Sequence, residues 1–191
     1  MIQPSLFMGE RVRLVSPNVE GEAAIISGWT HNLDYSKRFR SGMARPMAVF
    51  EVKQFLTDQL KRSDESRNVF TFSIQRKSND QLLGTAWLDP IEWSNRNARI
   101  AIYLGNPEAV RDDWLEGVKL IVQYAFQELG LHRLTTQVFE DEGDVLEVFL
   151  EAGFVPEVRQ REAAFHQGAH VDVVWFGILD PDWRLKERIG T

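Results

Sequence analysis

The stretch from residue 100 to residue 154 constrains this chain most, because its apolar period switches between strand and helix repeatedly. Residues 100–104 (Ile-Ala-Ile-Tyr-Leu) read as a buried strand, and Gly105-Asn106-Pro107 ends it. From about Asp113, Leu115, Val118, Ile121, Val122, Ala125, Phe126 and Leu129 recur at helical spacing, leaving an opposite polar face. Gly130 stands where a left-handed helix cap is wanted. Residues 134–139 alternate as a β-branched strand, and a shorter helix carrying Val145, Val148, Phe149 and Ala152 ends at Gly153-Phe154. A right-handed crossover sets the strand starting near Leu134 parallel to the one ending at Leu104.

A strand running into a helix is a place to hold an anion, since loop amides and the helix start both offer N–H groups. Here the loop spans residues 105–114, has no glycine after Gly105, and carries Glu108, Asp112 and Asp113. The backbone invites a phosphate and the side chains repel one. Asp112-Asp113 also read as a helix cap, with Glu116 completing a capping-box arrangement three residues after Asp113.

The rest of the chain supplies the frame. Residues 10–15 alternate as a first strand, and Ser16-Pro17-Asn18 introduces a helix over 19–29. Residues 31–47 read as a basic loop with Arg38, Arg40 and Arg45 beside Phe39, Met43 and Pro46, more a solvated face than a trap for acidic substrates. An amphipathic helix follows over 49–60, then a polar loop at 61–68. Residues 69–75 and 82–87 form a hairpin around a turn at 77–80, and a connection at 89–97 precedes the strand at 100. A closing hairpin runs over 155–165 and 171–179, and residues 184–191 read as a frayed tail. The order implies a mixed α/β (α+β) domain with a mostly antiparallel sheet, one domain over 1–191 with its core at about 9–183.

Charge and composition exclude several functions. A net charge of −6 and a pI near 5.3 argue against a nucleic-acid or anionic-membrane binder. With no cysteine, thiolate nucleophiles and cysteine metal sites are ruled out. His166 and His170 flank a turn and read as polar turn residues, so no metal is expected. No signal peptide or long apolar run is visible, which places the expectation in the cytoplasm.

Leu83-Gly84-Thr85-Ala86-Trp87-Leu88, followed by residues 97–105 (Asn-Ala-Arg-Ile-Ala-Ile-Tyr-Leu-Gly), resembles the central strands of the GNAT acyltransferases. Residues 119–126 with 129–134, Ala152-Gly153-Phe154 and the closing Gly168, Asp172 and Gly177-Ile178-Leu179 are similar to the branch that acetylates ribosomal-protein N-termini. The resemblance covers about residues 9–183. It implies the GNAT fold, with acetyl-CoA in a V-shaped cleft between two splayed parallel strands and an amine attacking the thioester directly. The cofactor positions it assigns are Leu104, Gly105, Asn106, Arg111, Asp113, Trp114 and Leu115, the amides of 104–106 meeting the pantetheine arm. Glu92 or Asp89 is the candidate base and Tyr103 the candidate acid.

The chain departs from the family pattern at four positions. Asp112 and Trp114 stand at the two small-residue places of the phosphate loop, Glu142 at the family's asparagine, and Phe149 at its general-acid tyrosine. Two like charges ~5 Å apart repel by roughly 3 kcal/mol at an effective dielectric near 20. Where the family branch often carries a glutamate, this chain has Arg99. Two expectations follow: an N-acetyltransferase acting on a small-molecule or peptide amine, or a GNAT-fold pseudoenzyme binding another ligand or a protein through a surface of Trp87, Trp93, Trp175 and Trp183. A homodimer fits either.

Overall fold

The computed structural model describes residues 6–39 and 44–189. Its strands are β1 (Val12–Val15), β2 (Phe70–Arg76), β3 (Leu82–Glu92), β4 (Asn97–Leu104), β5 (Arg133–Phe139), β6 (Val155–His166) and β7 (Ala169–Leu179). The helices are α1 (Val19–Trp29), α2 (Leu33–Phe39), α3 (Val49–Ser66), α4 (Arg111–Gln127), α5 (Gly143–Ala152) and α6 (Asp180–Ile189). The strands form one sheet in the order β1-β2-β3-β4-β5-β7-β6, antiparallel throughout except for the parallel pair β4–β5.

Strand alternation divides the core in two. Ile100 and Ile102 of β4 join Val118, Ile121, Ala125 and Phe126 of α4 and Phe149 of α5 on one face. Ala101 and Tyr103 join Ile26 of α1, Phe39 of α2 and Val52 and Leu56 of α3 on the other. The result is a sheet covered by helices on both faces.

Several elements differ from the sequence reading. The supposed loop at 31–47 contains α2, begun by Asn32, whose Oδ1 accepts from the Tyr35 N–H at 3.0 Å, and held down by buried Tyr35 and Phe39. At only seven residues, about two turns, it is too short for an apolar stripe to stand out from the surrounding loop. Arg40 and Met43 of that loop lie outside the described residues. Helix α3 runs on to Ser66, past the expected end at 60; its last turns are polar and exposed and so carry no apolar stripe to read. Residues 184–189 are helical, since Trp183 of α6 is buried against Phe126, ring centroids 5.5 Å apart.

Residues 6–11, just before β1, are anchored as well. Leu14 donates its N–H to the Phe7 carbonyl at 2.9 Å, and Glu116 accepts from the backbone N–H groups of Glu10, Arg11 and Val12. Glu116 therefore ties α4 to β1 rather than completing a helix cap. Of the four tryptophans expected on a surface, Trp87 and Trp183 are buried, Trp175 is half-buried and only Trp93 is exposed. No described helix is long and apolar enough to cross a membrane.

Candidate active site

Strands β4 and β5 pair at Asn97–Arg133, Ala98–Leu134 and Arg99–Thr135, and then part. Beyond Arg99 the β5-facing edge of β4 has no strand beside it, while β5 goes on pairing with β7 as far as Phe139. The gap is a cavity of about 340 Å³ walled by Ile102 and Tyr103 of β4, Val138 and Phe139 of β5, Trp114 of α4 and Phe149 of α5. Phe149 is a buried core residue, its ring edge-on to Phe154. The Trp114 Nε1–H is buried and has no acceptor among the described residues.

A second cavity of about 250 Å³ lies against Phe55 of α3, Trp87 and Asp89 of β3, and the same stretch of β4. Arg38, Arg99, Ala101 and Tyr103 line both cavities, so the two meet there. Burial pushes the Tyr103 phenol up to about 12, although Arg99 and Arg38 pull it the other way, and it stays protonated at neutral pH.

Helix α2 straps the first cavity. The Arg38 Nε donates to Glu142 Oε1 at 2.6 Å, and its guanidinium lies 5.7 Å from the centre of the Trp114 ring. Burial pushes the Glu142 carboxyl up while the Arg38 charge and hydrogen bond draw it down. Lys37 bonds the Phe165 carbonyl. His166 is buried between Asp141, 2.7 Å from its Nδ1, and Asp34, 3.1 Å from its Nε2, a position the turn pattern around it did not reveal.

The loop before α4 satisfies most of its own amides. Gly105 and Asn106 both donate their N–H to the Leu83 carbonyl, at 3.0 and 3.1 Å, so these two are not free for a ligand. Glu108 donates to the Asn106 side chain, Ala109 to the Asn106 carbonyl, and Val110 to Asp113 Oδ2. Asp113 and Trp114 donate to the Val110 carbonyl. What remains without a partner among the described residues is the N–H of Arg111 and of Asp112, the first two residues of α4.

The expected site residues divide accordingly. Tyr103 and Trp114 line the cleft, Leu104 packs against the core, and Leu115 is buried in it. Asp113 is fully buried and turned to β1 and β2, meeting Arg11 Nε at 2.9 Å and Arg76 Nη2 at 3.1 Å. Burial would raise its carboxyl, but the Val110 N–H and the two arginines hold it below the usual range. The helix begins after Val110, so Asp113 reaches back to that N–H and the cap does not sit at Asp112-Asp113. Arg111 is committed to Glu151 at 2.7 Å. Gly105 meets Trp29 rather than a phosphate: a Cβ there would lie 2.3 Å from the indole. Glu92 is exposed at the β3–β4 turn, accepts from the Asn95 side chain, and lines neither cavity. Asp89 lines the second cavity but pairs with Arg62 at 3.2 Å.

That Arg38, Phe55 and Trp87 share one cavity was not legible in the sequence, because three separate elements bring them together. Arg99 carried a usable signal, since it shares the face of β4 with Ala101 and Tyr103 at a spacing of two.

The sheet is mixed and covered on both faces, and its parallel pair splays open onto a cleft between β4 and β5. The profile of the family described as Acetyltransferase (GNAT) domain matches residues 22–175, and the chain belongs to that family. It is similar to the probable N-acetyltransferase YjcK of Bacillus subtilis (strain 168), 28% identical over 154 residues covering 80% of this chain and 85% of that protein. In fold it is similar to spermidine N-acetyltransferase from Vibrio cholerae in complex with CoA and spermine, at a TM-score of 0.76 and 17% identity over 92% of this chain and 99% of that one. The microcin C7 self-immunity acetyltransferase MccE, in complex with acetyl-CoA and AMP, aligns at a TM-score of 0.72 and 16% identity over 90% and 93% of the two chains.

Proposed function

We propose that this chain transfers an acetyl group from acetyl-CoA to a primary amine by direct attack, the thioester arm entering the β4–β5 cleft and the amine the second cavity. The observation that carries this reading is Tyr103, a protonated phenol at the junction of the two cavities. The complexes of the two fold relatives with CoA or acetyl-CoA support the choice of donor.

The residues present fit such a donor. The open edge of β4 beyond Arg99 and the acceptor-less Trp114 Nε1–H suit the amides and carbonyls of a pantetheine arm. The free N–H groups of Arg111 and Asp112 suit a phosphate at the helix start. Acetyl-CoA supplies an activated acyl thioester, so a neutral amine suffices to form the new N–C bond as the C–S bond breaks.

Tyr103 would donate its proton to the departing sulfur and be reprotonated, through cleft water, by the second proton that the attacking nitrogen sheds as it becomes a neutral amide. Among the described residues, the carboxylates bordering the cavities are Asp89 and Glu142, and each is held by an arginine, Arg62 and Arg38 respectively. The proton of the incoming ammonium therefore leaves through water in the second cavity.

The competing reading, a GNAT-fold chain that binds another ligand without transfer, draws on the loop amides spent on Leu83, Asn106 and Asp113. Calorimetric titration with acetyl-CoA, with CoA as control, separates the two. Micromolar binding followed by amine-dependent release of free thiol supports transfer. An absence of binding at millimolar acetyl-CoA overturns it.

A further inference from the structure

We infer that the second cavity selects a small primary amine carrying an anionic group, a carboxylate or a phosphate, and rejects polycationic amines. The inference rests on the acyl-transfer reading for the chemistry, though not for the binding.

The charges in this cavity do not balance. Arg38 is neutralised by Glu142 and Asp89 by Arg62. Arg99 donates its Nε to the Asp89 carbonyl at 3.2 Å, and its guanidinium has no carboxylate within ion-pair distance among the described residues. The bulge in β3 between Leu88 and Ile91 is what brings the Asp89 carbonyl to Arg99. One half-buried guanidinium thus faces the cavity with its outer N–H groups unspent, in the planar fork that suits a carboxylate or phosphate.

Trp87 is almost wholly buried, lines the cavity, and its Nε1–H has no acceptor among the described residues. Among the described residues, no unpaired carboxylate lines this cavity to receive a second ammonium. The remaining wall is aromatic, with Trp87 flanked by Tyr103 at 5.3 Å and Phe55 at 6.5 Å between ring centres. A cavity of about 250 Å³ with donors, a surplus positive charge and flat apolar walls suits an amino-acid-sized molecule. A polyamine would bring several positive charges to Arg99 and find no acceptor for the distal ones.

The test compares amines matched except for the anion: tyrosine against tyramine for a carboxylate, and O-phosphoethanolamine against ethanolamine for a phosphate, with spermidine as the polycation. Binding to the protein alone is read by ligand-observed NMR, and transfer by mass spectrometry with acetyl-CoA. The anionic member of at least one pair is expected to bind and react about tenfold or more better than its parent, with spermidine the poorest of the five. Arg99→Gln abolishes that preference mainly through KM, and Arg99→Lys restores part of it. The inference is overturned if tyramine, ethanolamine or spermidine is preferred, or if Arg99→Gln leaves the ratio unchanged in a protein that still melts cooperatively. Anion-selective binding without transfer to any amine overturns the acyl-transfer reading instead and leaves the cavity assignment standing. The two failures are thus told apart.

Discussion

Arg38 of α2 closes over the cleft onto Glu142 at the foot of α5, Nε to Oε1 at 2.6 Å, across 104 residues of sequence. Both side chains are largely withdrawn from water, and the Arg38 charge offsets the cost of burying the Glu142 carboxylate. Arg38→Met should therefore cost about 1–3 kcal/mol at neutral pH, discounted from a fully buried pair because Arg38 keeps some exposure. Glu142, already pushed up by burial, loses its counterweight. The penalty should be small below its usual value of 4.5 and grow as pH rises through the raised value of the folded state. Urea melts of both proteins at acid and neutral pH check this, and a pH-independent loss would disprove it.

Asp113 and its neighbour Asp112 should differ sharply in what they contribute to stability. Asp113 is buried, caps Val110 and pairs with Arg11 and Arg76, so Asp113→Ala should cost about 2–4 kcal/mol in denaturant melts. Its carboxyl is held below the usual 3.8, so its contribution is complete above that value and is lost as pH falls through the lower, folded one. Asp112 is exposed, and Asp112→Ala should change stability by no more than about 0.5 kcal/mol. The same substitution should tighten acetyl-CoA binding several-fold at low salt by removing a negative charge beside the free amides, and the gain should shrink as salt is added.

Glu22 of α1 is buried, with Ser73 Oγ donating to its Oε2 at 2.5 Å, while Oε1 has no partner among the described residues. Burial pushes its carboxyl above 4.5. The stability it supports is complete below that value and is lost as pH rises through the folded one. Glu22→Gln should remove this slope and leave the protein about 1 kcal/mol more stable than the parent at pH 8. Equal pH slopes for the two proteins would show that the carboxyl titrates normally.

Tyr103→Phe tests the acid in the cleft. The substitution keeps the ring against Trp87 and removes only the proton donor. It should lower kcat by about 10² while leaving the acetyl-CoA Kd within about twofold. A wild-type kcat would assign protonation of the leaving thiolate to solvent.

The amino-acid order alone determined the scaffold. Strand and helix periods at 100–154, the hairpin turn at 77–80 and the closing hairpin around Gly168 are local patterns, and the parallel β4–β5 pair follows from a strand–helix–strand order. The sequence also marked Tyr103 and Trp114 as cleft residues. Tertiary structure decided the rest. Whether Gly105 and Asn106 offer their amides to a ligand depends on Leu83, more than 20 residues earlier, and whether Asp113 faces a phosphate or two arginines depends on where β1 and β2 lie. The cavity joining Phe55, Trp87 and Arg99 is a meeting of α3, β3 and β4. Side-chain period records which face of an element is buried. Partners of a polar group and the charge balance of a cavity are set by neighbours distant in sequence, and only the folded chain brings those together.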